Sequence, residues 1–365
     1  MAIKASGGNP PSNSLSFTEI ENEFGQNASR SLGDYRMNNL NIGALTEVSL
    51  SRDGCGISAN SNIPVDDQEI KFSDFFSAKQ NIILDFHSNN QNRVNAKNDK
   101  YNASSPSGNY TVVGSAGNSK PSSTNGKKVI IHVTKVIGSS QGNVNNVALR
   151  TGNWDSGTEL LVEVDGGTVI GAGGNGGNGQ SNNVGTPGTD GTSGLGIDYS
   201  GTKIQTAENG LIACGFGGGG AGGGARTKRE GSSWGGGRGP TVNIAGSGGG
   251  GGQGAPGGSG GSGGANGTAG DHEQAGEGGP ETEAESVESG VVGGNGGEGG
   301  HTGDASADAG EAGSLNGSRH EDPNTAGGGI GGGNGAAIRK ASGSISFTLI
   351  GSPNISGDTT ATNIS

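Results

Sequence analysis

Glycine at every third position restricts the fold of this chain more than any other feature. From Gly173 it recurs at Gly176, Gly179, Gly185, Gly188, Gly191 and Gly194, broken only at Asn182. A second series from Gly246 to Gly270 is broken only at Ala255, and a third reads Gly294, Gly297, Gly300 and Gly303. Glycine gives up more backbone freedom on folding than any other residue and brings no side chain to bury. Such composition defaults to disorder, but disorder needs no register. Three residues per turn is the period of the left-handed polyproline-II helix. Collagen shares the period, but 11 prolines in 365 residues, with short runs, do not make a triple helix. The expected arrangement is a bundle of short polyglycine-II helices from one chain. There glycine lets backbones approach until N–H and C=O groups pair laterally and Cα–H groups meet carbonyl oxygens. The residues between the glycines, such as Asn175, Asn178, Thr186, Thr189, Ser259 and Ser262, are small or polar and suit an outward face.

Fifteen glycines precede residue 166 and three follow residue 340, leaving 64 of the 82 between. The chain therefore divides near Asp165. Residues 1–80 read as an attachment segment with short helix motifs and 81–165 as a small β domain. Residues 166–340 read as the glycine-rich polyglycine-II bundle with exposed loops, and 341–365 as a C-terminal strand and tail. The fold class is thus mostly irregular and β: a small β-rich N-terminal region, then packed left-handed, threefold polyglycine-II helices capped by short strands and loops. In the front part, Leu-Ser-Phe-Thr-Glu-Ile-Glu-Asn-Glu-Phe-Gly at 15–25 and Ile-Lys-Phe-Ser-Asp-Phe-Phe at 70–76 resemble each other. Each reads as a capped helix of one or two turns. Helices so short are marginal alone, so they dock on a partner or on each other. Alternating apolar runs at 82–86, 129–136 and 147–149 read as strands. Segments 158–170, around Asp165-Gly166, and 197–214, around Asn209-Gly210, read as hairpins capping the bundle.

Composition excludes several function classes. The net charge of −12 is local: residues 271–322 hold thirteen Asp and Glu against the single Arg319. No basic groove for nucleic acid is visible. Cys55 and Cys214 outline no disulfide framework. The opening Met-Ala-Ile-Lys-Ala-Ser-Gly-Gly lacks the apolar core of a signal peptide, so synthesis in the cytoplasm is expected. No run approaches the roughly 18 apolar residues of a membrane span, so no membrane insertion is expected. His87, His132, His272, His301 and His320 fall in no metal-ligand spacing, and His132 lies within a strand pattern where a structural role fits. Asp271-His272-Glu273 fits solvated charge better than a metal site. Gly217–Gly224 has no helix after it, as a phosphate loop would need, and the acids are not paired across a groove as in a glycosidase. Neither enzyme activity nor a cofactor nor a metal is expected.

Further strings complete the pattern: Lys-Lys-Val-Ile-Ile-His-Val at 127–133 and Ala-Leu-Arg-Thr-Gly-Asn-Trp at 148–154 precede the glycine runs. Gly-Ala-Gly-Gly-Asn-Gly-Gly-Asn-Gly at 171–179 and Ile-Ala-Cys-Gly-Phe-Gly-Gly-Gly-Gly-Ala-Gly-Gly-Gly at 212–224 follow. In this order they resemble glycine-rich tail proteins of tailed bacteriophages, marine phages included. The back half is similar to the receptor-recognition adhesins that cap the long tail fibres of T-even-like phages, from which the front half departs. The resemblance implies a virion protein, made in the host cytoplasm, whose loops on a rigid bundle bind a bacterial surface receptor, an outer-membrane protein or a polysaccharide. It also implies contact with other tail or fibre proteins, expected here through residues 1–80. A structural tail component using the bundle as a rigid spacer is the alternative, and an ice-binding protein is a distant third.

The loop at 226–240 carries Arg226, Lys228, Arg229 and Arg238 against Glu230, with Trp234 among them. Trp beside Arg is the composition of a recognition hot spot; Trp234 folded back over the bundle end is the equal alternative. The length of 246–270 and Pro256 predict one chain reversal near 253–256. Alternating directions then set 180–184, 226–240 and 271–290 at one end, and 197–214 with 304–326 at the other. The acidic stretch 271–290 fits solubilisation or the binding of divalent cations.

Overall fold

The computed structural model describes residues 15–24, 31–32, 69–75, 81–88, 91–103, 110–113, 123–207, 209–228, 241–283, 291–315 and 321–365. Lys128–Val133, reading Lys-Val-Ile-Ile-His-Val, is apolar almost throughout, which is the pattern of a parallel strand covered on both faces. It pairs in parallel with Asn81–Phe86 on one side and Glu159–Asp165 on the other. The sheet continues through Thr202–Ala207 to Phe347–Leu349, and Tyr110–Val113 closes its other edge antiparallel. Two five-stranded sheets stand beside it. One runs Gln91–Asn92, Val136–Gly138, Thr168–Ile170, Leu211–Ala213, Ile355–Ser356; the other runs Val94–Asn95, Val147–Arg150, Ser193–Ile197, Ile338–Lys340, Ala361–Thr362. All their pairings are parallel.

These registers describe a three-sided solenoid. The chain visits the first, second and third sheet in turn, then advances one rung, five times over. The three sheets share one core, to which Ile131 and Val162, Val169 and Ile212, and Leu195 and Ile338 contribute pairwise. The expected hairpins at 158–170 and 197–214 are therefore corners. Glu159–Asp165 and Thr168–Ile170 lie in different sheets, as do Thr202–Ala207 and Leu211–Ala213. Gly166 and Asn209, both at a φ of 66°, turn the chain from one side to the next. The turn chemistry is that of a hairpin, but each strand finds its partner a rung away.

The glycine-rich chain leaves this base twice, at 171–192 on the third rung and at 214–337 on the fourth, always between the second and third sheets. Within run 171–179 the backbone addresses three neighbours in rotation. Gly173, Gly176 and Gly179 donate to Pro256, Ser259 and Ser262. Gly174 and Gly177 donate to Phe216 and Gly219. Asn175 and Asn178 donate to Thr189 Oγ1 and Thr186 Oγ1, and accept from the Thr189 and Thr186 N–H groups. Asn175 Oδ1 in turn accepts from Ser259 N and Oγ, and Asn178 Oδ1 from Ser262 N and Oγ, so the polar residues of the outer face are knitted together. A β-carbon at Gly258 would overlap the Gly174 carbonyl oxygen, and one at Gly261 the Gly177 carbonyl oxygen.

The two short motifs of the front segment fold as expected and meet. Phe17–Phe24 is an α-helix whose Ser16 Oγ accepts from Glu19 N at 3.2 Å while Glu19 Oε2 accepts from Ser16 N at 2.8 Å, a capping box. In the turn Phe72–Phe75, Asp74 Oδ2 accepts from Lys71 N at 2.7 Å in the same way. The Phe17 and Phe72 rings pack edge to face, their centroids 6.4 Å apart.

The bundle yields a first prediction. Gly261→Val should destabilise by at least about 3 kcal/mol, because the branched side chain must displace backbone. Ser259→Val should cost about 1 kcal/mol, the bond to Asn175 being its main loss. Equal shifts of the two in thermal unfolding would contradict the packing.

Candidate functional site

At the end of the bundle away from the solenoid, two small antiparallel sheets form where the glycine register stops. Thr241–Ile244, Ala225–Lys228 and Glu321–Thr325 make one; Thr282–Glu283, Val291–Gly293 and Ser314–Leu315 make the other. Ala225, Ile244 and Val291 are buried between them, with Val242 and Leu315 packed alongside. The turn 180–184 joins the same end, since Ser181 bridges to Ala245 and Asn183 O accepts from Gly224 N. The strand ends that flank 229–240, 284–290 and 316–320 are thereby brought together, and those three segments lie outside the described residues.

Of the five residues expected to bind, Arg226 and Lys228 sit on Ala225–Lys228, opposite Asn243 and Thr241 on one side and Asn324 and Glu321 on the other. Arg226 is half-buried, and its Nε is enclosed without a hydrogen-bond partner. Arg229, Trp234 and Arg238 lie outside the described residues. The other tryptophan, Trp154, is buried in the base, where Nε1 donates to Thr151 O at 2.8 Å and Lys97 Nζ lies 5.5 Å from its ring.

The expected grouping of loops needs correction. Segment 271–290 does not lie wholly at this end: residues 271–274 turn at the base, where Gly254 N donates to Asp271 O and Gln253 Nε2 to His272 O. Segment 304–326 does not lie wholly at the base: Ser314–Leu315 and Glu321–Thr325 are strands of the distal sheets. The cause is reversals beyond the one expected. Gly258, Gly261 and Gly264 donate to Gly252, Gly249 and Gly246, folding the chain back around the turn at 253–257 as expected. Gly267 and Gly270 then donate to Gly261 and Gly258, folding it again around 263–266. Residues 267–270 therefore head back to the base, opposite to the expected sense, and 271–274 reverse the chain again, while 294–300 run from the tip to the base as expected. The bundle's flank carries a groove of about 580 Å³ lined by Glu277, Asn295, Glu298, Asp308 and Glu311.

Buried titratable chemistry sits in the base instead. Asp85, His132 and Glu163 are in register on neighbouring strands. His132 Nδ1 is 3.1 Å from Asp85 Oδ1, and its Nε2 is 3.5 Å from Asp165 Oδ2. Burial opposes the charge on His132, but the Asp85 hydrogen bond and charge, with Glu163 and Asp165, raise its pKa overall. Burial also pushes Asp85 upward, but His132, His87 and Lys100 outweigh it and hold the carboxyl below its ordinary range. Among the described residues, no three His, Cys, Asp or Glu side chains converge as a metal ion would require, and no helix is long and apolar enough to cross a membrane. The arrangement suits a stabilising ion pair.

A second prediction follows from the signs of these shifts. A histidine with a raised folded pKa stabilises fully below its ordinary value of about 6.5 and loses that contribution as pH rises through the raised value. Asp85, held low, keeps its contribution until the pH falls through its lowered pKa. The margin in melting temperature of the native protein over His132→Asn should be largest near pH 5–6 and shrink towards pH 9. Lys100, which burial pushes down to about 7, titrates in the opposite sense and is common to both proteins. A margin constant with pH in scanning calorimetry would exclude the charged pair.

The family described as phage tail fibre adhesin Gp38 has a sequence model that matches residues 89–360. Among solved structures the chain matches the gp37–gp38 adhesin tip complex of the bacteriophage S16 long tail fibre. The identity is 18%, 81% of this chain and 88% of that chain are covered, and the TM-score is 0.32. No curated protein sequence matches the chain.

Proposed function

This chain belongs to the phage tail fibre adhesin Gp38 family, and from that premise we propose that it recognises the host through the loops gathered at the distal end of its glycine bundle. It is a tail-fibre adhesin of the virion tail, and its work is host recognition. The observation that carries the finer reading is the convergence of the strands flanking 229–240, 284–290 and 316–320 on one small core, Ala225, Ile244 and Val291. The solenoid base lies at the other end. Arg226, Lys228, Arg229, Arg238 and Trp234 are the proposed receptor contacts, Trp234 as the anchor and the cations as the charged rim. The receptor is a component of the bacterial surface, an outer-membrane protein or a polysaccharide.

We read the glycine runs as polyglycine-II helices, a reading supported by lateral bonds that step by three residues on both partners. At about 3.1 Å per residue the nine residues 171–179 hold the loops about 28 Å from the base. The chemistry is binding without catalysis, and no cofactor takes part. Other tail-fibre proteins are the partners at the base. Residues 1–80 are expected to make that contact because their apolar residues need cover. Phe17 packs on Phe72 and Ile20 is buried within the chain, which lessens that need, while the side chains of Phe24, Phe75 and Phe76 lie outside the described ones.

Trp234→Ala should slow adsorption to host cells at least about tenfold, the loss of a single hot-spot anchor, with the melting temperature unchanged. The rigid-spacer alternative expects adsorption at the native rate, and that result would remove the site assignment.

A further inference from the structure

One face of the first distal sheet carries polar groups that the described chain leaves unengaged. Ala225 and Ile244 stand opposite each other and face the small tip core, so the adjoining pair, Arg226 and Asn243, faces away from it. Arg226 also stands opposite Asn324 on its other neighbour, which sets Asn243, Arg226 and Asn324 in one row across three strands. At the usual spacing of strands the row is about 10 Å long. Both asparagines are exposed, while Arg226 is half-buried with its Nε enclosed. The sheet thus holds the stem of the arginine, and its two terminal nitrogens reach solvent. Among the described residues, none of the three side chains makes a hydrogen bond and Arg226 has no carboxylate within 4.0 Å. In the next row Lys228 stands opposite Glu321, a residue of the other sign, whereas Arg226 has an amide on either side. The lysines and arginines between residues 204 and 338 are Arg226, Lys228, Arg229, Arg238 and Arg319, all on the distal strands or in the segments these flank. The bundle's flank carries Glu277, Glu298, Asp308 and Glu311 around its groove. An anionic ligand is therefore repelled along the flank and meets cations only at the tip.

We infer that this row binds an acidic glycan of the host surface. The oxyanion of a sugar carboxylate or phosphate group is seated on Arg226, and the hydroxyls beside it on Asn243 and Asn324. A guanidinium offers two parallel N–H groups to such an oxyanion, a geometry that a lysine cannot supply. A carboxamide both donates and accepts, as a sugar hydroxyl does. Amides on either side of the cation therefore match hydroxyls on either side of the anion. The enclosed stem of Arg226 has given up its rotamer freedom before the ligand arrives, which lowers the cost of holding it. A carboxylate on a protein receptor would satisfy Arg226 but brings no hydroxyls beside it for the two amides. The inference rests on the host-recognition reading above and gives it a ligand class, a glycan bearing an oxyanion.

The test measures binding of the purified full-length protein to host cells. Arg226→Gln should bind at least about tenfold more weakly, and Arg226→Lys, which keeps the charge without the fork, should not restore the loss. Asn324→Ala, at an exposed position, should weaken binding about threefold to tenfold and serves as the test if the Arg226 variants fail to fold. Periodate oxidation of the cells should abolish binding by the native protein, and protease treatment should leave it. Free glucuronate or glucose 6-phosphate at millimolar concentration should compete where glucose does not, and whichever competes tells carboxylate from phosphate. Native-strength binding by every folded variant, competition by glucose equal to that of the acidic sugars, or competition by neither acidic sugar overturns the inference. Binding lost on protease treatment overturns it in favour of a protein receptor, with host recognition intact. Failure of the native protein to bind the cells would instead overturn the host-recognition reading itself.

Discussion

A carbonyl oxygen occupying the place of a β-carbon is the contact on which the glycine half depends. At Gly173, Gly176 and Gly179 the overlapping oxygens belong to Gly252, Gly249 and Gly246, and at Gly174 and Gly177 to Thr189 and Thr186. Side chains are excluded from these faces by sterics before any question of helix or strand preference arises. Amide bonds between runs replace the hydrophobic contacts that the composition cannot supply, so water is excluded by backbone packed against backbone. Where the outermost run lacks a further neighbour, hydroxyls of Thr186 and Thr189 and amides of Asn175 and Asn178 complete the pairing. The polar residues of the outer face are therefore part of the bonding scheme and more than a solvated coat.

The solenoid supplies what the bundle lacks, an apolar core. Its strands read as nearly continuous Val, Ile and Leu, and its corners place each strand against the equivalent strand of the next rung. Insertion of the bundle at the same corner of two successive rungs fixes where the runs begin, so the first glycines continue directly from the sheet ends at Ile170 and Ala213. Arg150 and Asp198 brace a different corner, where the third sheet leads to the next rung, their side chains paired at 2.5 Å, with Asp198 also accepting from Gly152 N.

The register of the glycines was legible because each third residue meets a backbone that tolerates nothing larger. Much of the topology was not. Asp165-Gly166 and Asn209-Gly210 have the chemistry of tight turns, and a solenoid corner and a hairpin ask the same of those residues. The rung repeat is masked because two of the five rungs carry long insertions. The reversal at 263–266 passed unseen because Gly261, Gly264 and Gly267 stay in phase through it, whereas Ala255-Pro256 breaks phase and announced its turn. At the tip, Thr241–Ile244 and the pair Val291-Val292 were short apolar signals within polar surroundings, too brief to fix which loops they would join. The base histidine was legible in kind: a strand position such as His132 was read as structural, though its carboxylate partners lie 47 and 33 positions away along the chain and carry no local signature.

The double insertion has a mechanical consequence. A bound tip pulled along the bundle transmits tension to the base through four covalent junctions, at residues 171, 192, 214 and 337. The load is divided among them before any rung is strained. Because the lateral amide bonds lie across the runs, that pull loads many of them together in shear, and none is peeled singly. A chain with little apolar material in its outer half can in this way behave as a stiff tether, with its yield point set in the solenoid.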